Sequence, residues 1–301
     1  MKYVVTGSLG NISKPLSKKL IDAHHSVTVI SSNPDRSEEI ILMGAQAAIG
    51  SVEDVDFLTR TFIGADAVYT MVPPNYSATD WKKYIAGIGE NYADAIQASR
   101  VKNVVNLSSV GAHMPDGCGP VSGLYHVEQA LNSLDGVNVR HLRPGFFYSN
   151  LLSNVGMAKS MGVIGGNFGI NANMILVHPD DIAEVAFREL NDLSFRGQSI
   201  IYIASDEKTT KEIALILGKA IEKPQLSWIN FNDEDTIAGM LQLGFPTEVA
   251  RNYAEMGAAM RSGEMQSDYL ENRPTQFGKT KLETFAKTFA KVYSQSEITI
   301  H

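Results

Sequence analysis

The chain has 301 residues, with 26 Lys plus Arg against 33 Asp plus Glu, a net charge of −7. That length can bury a substantial core, and the acidic balance argues against nucleic acid or an anionic membrane surface as the main partner. Cys118 is the only cysteine, which excludes an internal disulfide and a cysteine metal cluster, and no apolar run reaches the ~18 residues of a membrane span.

Met1-Lys2 leads straight into an apolar run, with no signal-like segment before it, so a cytoplasmic protein is expected. Tyr3 to Ser13 then reads as a short strand running into a glycine-spaced turn that opens a helix near Asn11. Gly7 and Gly10 remove side chains where the backbone must turn and approach a pyrophosphate, and the helix start aims free N–H groups and its positive dipole end at that anion. A glycine triplet alone says little. The strand before, the helix after and a second strand at Ser26–Ile30 give it weight.

Strand-like runs continue at Ala47–Ile49, Ala67–Met71, Val104–Leu107 and Val139–Leu142. Helical periodicity lies between them at Lys14–Ala23, Glu38–Met43, Val55–Phe62, Asp80–Ser99 and Tyr125–Leu134. Crossovers of this length force parallel neighbours, so the fold class is α/β with a doubly wound parallel sheet, and ligands are expected at the strand carboxyl ends. After Arg143-Pro144-Gly145 the pattern changes. Residues 156–173 are rich in Gly, Asn and Met without a sustained period and read as loops and short elements beside a pocket.

His178-Pro179-Asp180-Asp181 opens a helix at Ile182–Leu190 with Pro and Asp in its first turn, and Gln198–Ile203 reads as a strand. From Thr209 helices dominate, broken at Pro224, Pro246 and Pro274, with a last helix at Lys281–Tyr293. The expected organisation is a nucleotide-binding domain at 1–150 and a smaller, mainly helical substrate lobe at 151–301, from which residues 178–204 return to the first domain.

Five stretches together resemble the NmrA-like branch of the atypical short-chain dehydrogenase/reductases, nearly end to end. They are Thr6-Gly7-Ser8-Leu9-Gly10-Asn11-Ile12, Asn106-Leu107-Ser108-Ser109-Val110-Gly111-Ala112, Arg143-Pro144-Gly145-Phe146-Phe147-Tyr148-Ser149-Asn150, His178-Pro179-Asp180-Asp181-Ile182-Ala183 and Arg273-Pro274-Thr275. The resemblance implies a Rossmann sheet with a dinucleotide across the strand ends. It also implies that Gly7, Leu9, Gly10, Asn11 and Ile12 form the cradle, that Ser51 and Val52 lie beside the adenine, and that Met71-Val72-Pro73-Pro74 runs towards the nicotinamide. Pro144, Gly145 and Phe146 would shape the nicotinamide end. Ser13 stands where the family usually has a third glycine.

An acidic side chain at the end of the second strand would bind a free ribose 2′-OH and repel a 2′-phosphate. Ser31, Ser32 and Asn33 stand there instead, with Arg36 as the nearest cation, so NADP (as NADPH) is favoured over NAD. The alternative is that Asp35 and Arg36 are solvated residues of the next helix.

Catalytic members of the wider superfamily use a Ser with a Tyr-x-x-x-Lys helix, whose ammonium makes the phenol a usable base. By the resemblance the serine is Ser108 and the tyrosine Tyr125, but the lysine position is Gln129, a neutral amide that could at most hydrogen-bond ribose hydroxyls. Reduction of a quinone needs no such couple, since the acceptor is already electrophilic. Tyr125, Tyr148 or Ser108 would hydrogen-bond the quinone oxygen, with Phe146, Phe147, Met157 and Met161 as an apolar wall. His126 is the neighbouring acid candidate.

The leading expectation is therefore an NADP-dependent, quinone-reductase-type enzyme acting on a small electrophilic molecule. A catalytically silent NADP-binding redox sensor is the alternative, and a sugar-nucleotide epimerase or dehydratase comes third. No metal site is expected, and His24-His25 reads as a helix end. The long helix Asp80–Ser99 could serve either as a homodimer face or as cover for the sheet.

Overall fold

The computed structural model describes residues 1–295. Its main sheet has seven strands in the order β10-β6-β5-β4-β1-β2-β3. They are β1 (Lys2–Val5), β2 (Ser26–Ser31), β3 (Gln46–Ile49), β4 (Ala67–Thr70), β5 (Asn103–Leu107), β6 (Asn138–Pro144) and β10 (Gln198–Ile203). All neighbours are parallel, as the sequence rhythm requires. The order reverses between β1 and β4, and the crevice outside their carboxyl ends is where open α/β sheets bind ligands.

Helices α1 (Ser13–Asp22), α2 (Ser37–Leu42), α3 (Val55–Phe62), α4 (Trp81–Ser99), α5 (Pro120–Asn132) and α7 (Pro179–Asp192) make the crossovers. α1 begins at Ser13, one residue before the expected Lys14 and two after Asn11, since Gly10 N–H turns back onto the Gly7 carbonyl before the ladder starts. α5 begins five residues earlier than the expected Tyr125. Gly119, at φ +54°, turns the chain, and Pro120 at the first helical position has the φ a helix start needs. Residues 178–203 run back to the main sheet, where β10 pairs with β6 and Lys19 of α1 bonds Glu184 of α7 at 2.7 Å.

Beyond β6 the chain builds a second layer. β7 (Phe146–Phe147), β9 (Asn173–Val177) and β11 (Asp206–Thr209) form a small sheet, and β8 (Val163–Gly166) pairs with β12 (Ser227–Asn230). α6 (Val155–Ser160), α8 (Thr210–Ala220), α9 (Asp233–Gln242), α10 (Thr247–Ser262), α11 (Ser267–Glu271) and α12 (Leu282–Gln295) surround them. Among the described residues no helix is long and apolar enough to cross a membrane.

A polar row crosses the middle of the apolar main sheet. Thr70, Asn106 and His141 lie directly opposite one another on β4, β5 and β6. The Thr70 hydroxyl donates to Asn106 Oδ1 at 2.9 Å, Asn106 Nδ2 donates to His141 Nδ1 at 3.1 Å, and His141 Nε2 reaches Asn132 Oδ1 at 2.9 Å. Only the neutral imidazole protonated on Nε2 satisfies every partner. Burial pushes the His141 pKa down to about 4 from its ordinary 6.5, with Glu128 opposing the shift and Arg143 adding to it.

The unfolded chain therefore takes up this proton near pH 6.5 while the folded chain resists it. Stability attributable to His141 is complete above pH 6.5 and falls by up to about 3 kcal/mol as pH drops towards 4. Chemical denaturation of the wild type and of His141→Gln at pH 7.5 and pH 5 is expected to show a shallower pH slope in the variant; equal slopes would refute the assignment.

Candidate active site

The turn after β1 is built for close approach. Gly7 has φ +86°, and a Cβ there would lie 2.5 Å from Ser13 Oγ and 2.9 Å from Met71 Cγ. Ser13, in place of the third glycine, is tolerated because its hydroxyl occupies the room that Gly7 leaves. Ser8 also has positive φ, held by its N–H to the Ile30 carbonyl at 3.0 Å and its hydroxyl to Ser31 Oγ at 2.9 Å. Among the described residues, the N–H groups of Asn11, Ile12 and Ser13 find no protein acceptor. That set of donors at the positive end of α1 fits a dinucleotide pyrophosphate.

The turn floors a cleft of about 840 Å3 across the ends of β1 to β5. Of the residues expected to bind a cofactor, Gly7, Gly10, Asn11, Ile12, Ser31, Ser32, Ser51, Val52 and Pro73 line it. Leu9 does not; it packs against the core beneath the turn. Asn33 and Arg36 also lie off the cleft wall. Asn33 Oδ1 accepts from Asp35 N–H at 2.9 Å, and Arg36 bonds Glu39 at 3.0 Å. Lys14 meets the same Glu39 at 2.7 Å, and these hydrogen bonds, that of Lys14 first, hold the Glu39 carboxyl below its usual range. One carboxylate thus engages both Lys14 and Arg36.

A second cavity, of about 330 Å3, adjoins the cleft at its Met71–Pro74 side and shares with it Met71, Pro73, Pro74, Leu107, Phe147 and Asn150. Val72, Gly145 and Phe146 of the expected set line this inner cavity, as does Ser108. Pro144 lies beneath it: it is buried in β6, and its carbonyl accepts from Val110 N–H at 2.9 Å.

The expected Tyr125–Gln129 pair is not brought to the site. α5 presents Pro120, Val121 and Leu124 to the inner cavity, while Gln129 and His126 are exposed and the half-buried Tyr125 ring sits edge-on to His126. Tyr148 is likewise corrected. It is fully buried, stacks on Phe285 and donates to Asp206 Oδ2 at 2.8 Å, so it belongs to the core. Met161 is 64% exposed and lines none of these cavities.

Ser108 is present but with the opposite polarity to that expected. Its hydroxyl donates to Glu128 Oε1 at 2.5 Å. Glu128 is in turn held by Arg143, whose Nε and Nη2 reach its two oxygens at 3.0 and 2.6 Å. Arg143 Nη1 donates to the Tyr202 hydroxyl and to Asp268, and Nη2 to the Ala112 carbonyl, so the whole guanidinium fork is engaged. Burial opposes the Arg143 charge, but Glu128 and then Tyr202 outweigh it and the guanidinium stays protonated. An ion-paired carboxylate only accepts, so Ser108 must donate to it and show lone pairs to the cavity.

The sequence reading passed over several lining residues. Asn150 borders the cleft, the inner cavity and a third cavity beyond; Glu53, hydrogen-bonded by the Tyr84 hydroxyl at 3.1 Å, puts an acid on the cleft wall; Trp81, Tyr253, Met256 and Gln266 close the inner cavity. Asn150 ends a stretch already singled out, and Glu53 adjoins another. The others arrive from distant helices and carry no local signal.

Residues 7–143 match the NAD(P)H-binding family model. Over 266 residues, 88% of this chain and 89% of the relative, the sequence is 24% identical to the (4-alkanoyl-5-oxo-2,5-dihydrofuran-3-yl)methyl phosphate reductase of Streptomyces griseus. An NADPH-dependent quinone oxidoreductase of Escherichia coli, crystallised with NADPH, superposes with a TM-score of 0.81 at 20% identity, covering 95% of this chain and 99% of that one. Citrobacter triphenylmethane reductase gives 0.79 at 19% identity, covering 97% and 100%. At these identities the solved structures establish the shared fold.

Proposed function

We propose that this chain belongs to the NmrA-like atypical short-chain dehydrogenase/reductases and is an NADP-dependent reductase that delivers hydride to a quinone or a similarly electrophilic small acceptor, a reading supported by its NAD(P)H-binding match and its shared fold. The observation that carries the reading is the wall of the inner cavity: it adjoins the cofactor cleft, is largely apolar, and receives Pro120 and Leu124 from the helix that would have to supply a Tyr–Lys couple. Oxidising an alcohol, or reducing an unactivated ketone, calls for a positioned acid or base. A quinone accepts hydride at a ring carbon, takes one proton from solvent on oxygen, and becomes the hydroquinone by enolisation, in which that carbon gives up a proton to solvent and the second oxygen takes one.

Bound NADPH would supply the hydride, two electrons on one proton. The chain's own contribution is binding and orientation. The Gly7–Ser13 turn holds the pyrophosphate, Ser31 and Ser32 meet the adenosine ribose, and Arg36 or Lys14, released from Glu39, meets the 2′-phosphate. Pro73, Gly145, Phe146 and Phe147 sandwich the nicotinamide end. Ser108, fixed as an acceptor, takes a hydrogen bond from the carboxamide N–H or from the hydroxyl of the reduced product.

Calorimetric titration with NADPH, NADP+, NADH and NAD+, followed by turnover assays on 1,4-benzoquinone and cyclohexanone, tests this reading. The expected result is tighter binding of the phosphorylated pair, quinone reduction and no ketone reduction, with Arg36→Ala weakening NADPH but not NADH. Tight binding without quinone turnover would favour a nucleotide-responsive regulatory protein instead. No binding of any of the four would sink both readings.

A further inference from the structure

A third cavity, of about 470 Å3, opens beyond the inner one and shares with it Phe146, Asn150, Tyr253 and Met256. Each volume lies within the ~300–1,000 Å3 span of small-molecule sites, and the shared residues set the two cavities side by side. The inner part touches the cofactor cleft, whereas the outer part meets it only at Tyr76 and Asn150. A group reacting at the cleft therefore leaves the outer space to whatever it carries.

The apolar part of the outer wall is Met157, Phe168, Phe231, Met240, Leu243 and Phe245, with the neutral Ser153, Asn154, Asn167 and Thr236 beside it, and the only carboxylate among the lining side chains is Asp235, exposed at the rim. Neither cavity is lined by a lysine or arginine, so a phosphate or carboxylate there would be desolvated without a partner.

Helix α9 roofs this space, and none of its residues is buried. It is nonetheless tied down at its first turn. Asp233 takes a two-pronged ion pair from Arg261 at 3.0 Å and a hydrogen bond from Asn167 Nδ2 at 2.8 Å. An anchored helix bearing Ile237, Met240 and Leu241 normally buries an apolar stripe. Here Thr236, Gly239 and Met240 face a cavity, and a Cβ on Gly239 would meet nothing within 4 Å.

From these walls we infer that the acceptor is a two-part molecule: an electron-poor ring in the inner cavity and an uncharged apolar substituent, alkyl, prenyl or aryl, lying under α9. The inference rests on the reductase reading for the chemistry of the ring, and on the cavity alone for the substituent. It makes α9 a specificity element and Gly239 the residue that keeps the outer space open.

The test compares 1,4-benzoquinone with 2-alkyl-1,4-benzoquinones of increasing chain length, and one bearing a terminal carboxylate, on wild type and Gly239→Leu. Gly239 has ordinary helical backbone, so leucine there is tolerated by the helix and fills the cavity. Expected is a rise in kcat/KM of up to about fourfold per methylene until the cavity is full. The carboxylate should cancel that gain, and Gly239→Leu should cost tenfold or more on the long-chain quinones only. Equal kcat/KM for all quinones, or an equal effect of Gly239→Leu on every one, overturns the inference while leaving the reductase reading intact. If no quinone turns over, calorimetry of the NADPH complex with the same series decides. Chain-length-dependent binding lost in Gly239→Leu would keep the site and discard the redox chemistry, and its absence would discard both.

Discussion

Gly7→Val is expected to abolish dinucleotide binding, with at least a hundredfold loss of NADPH affinity by calorimetry. Two effects act together. The φ of +86° is a left-handed conformation that costs an L-residue ~1–2 kcal/mol, more for a β-branched one. The added Cβ would also fall 2.5 Å from Ser13 Oγ and 2.9 Å from Met71 Cγ. Ser13 begins α1, and Met71 is pinned by its N–H to Thr6 Oγ1 at 2.9 Å and by its carbonyl to the Tyr92 hydroxyl at 2.7 Å. The helix start must then move, taking with it the N–H groups proposed to hold the pyrophosphate. Gly7→Ala should show the milder form, and Gly7→Ala with Ser13→Ala should recover part of the loss because the 2.5 Å contact disappears. Recovery would tie the defect to the Gly7–Ser13 packing. If Gly7→Val bound NADPH normally, the turn could not be the cradle.

The parallel sheet was legible in the sequence because strands buried on both faces read as short apolar runs, and the crossovers between them left one sheet type available. The phase of α5 was not. It is fixed by packing: a Cβ on Gly123 would lie 2.7 Å from Ile85 Cβ, and one on Gly89 would lie 2.7 Å from Val127 Cα. These glycines let α4 and α5 approach backbone to backbone and turn Gly123 and Val127 towards α4. Leu124 and Glu128 then face the site and the buried Arg143, with Tyr125 and Gln129 about 100° further round. Pro120 and Gly123 are the local signals of that phase, whereas the resemblance points to Tyr125 and Gln129. The walls of the outer cavity come from Tyr76 and from residues spread between 146 and 256, and no local pattern announces such a meeting.

Breaking the Arg143–Glu128 pair one side at a time should cost far more than removing it whole. The two side chains are only 5% and 2% exposed and 2.6 Å apart. Glu128→Leu strands a buried guanidinium and Arg143→Met a buried carboxylate, each worth ~3–5 kcal/mol of stability, whereas replacing both charges with apolar groups is often close to neutral. Asp268, 29% exposed, remains near Arg143 and should place Glu128→Leu at the lower end. Urea denaturation of the wild type, both single variants and Glu128→Leu/Arg143→Met closes the cycle, and single losses that simply add would refute the pairing. The double variant carries a functional consequence as well. With no carboxylate to take its proton, the Ser108 hydroxyl can donate into the inner cavity. Hydroxyl-bearing hydroquinone products should then bind and inhibit less, while carbonyl acceptors bind more tightly. A Ser108 that serves only to end β5 would leave both affinities where they were.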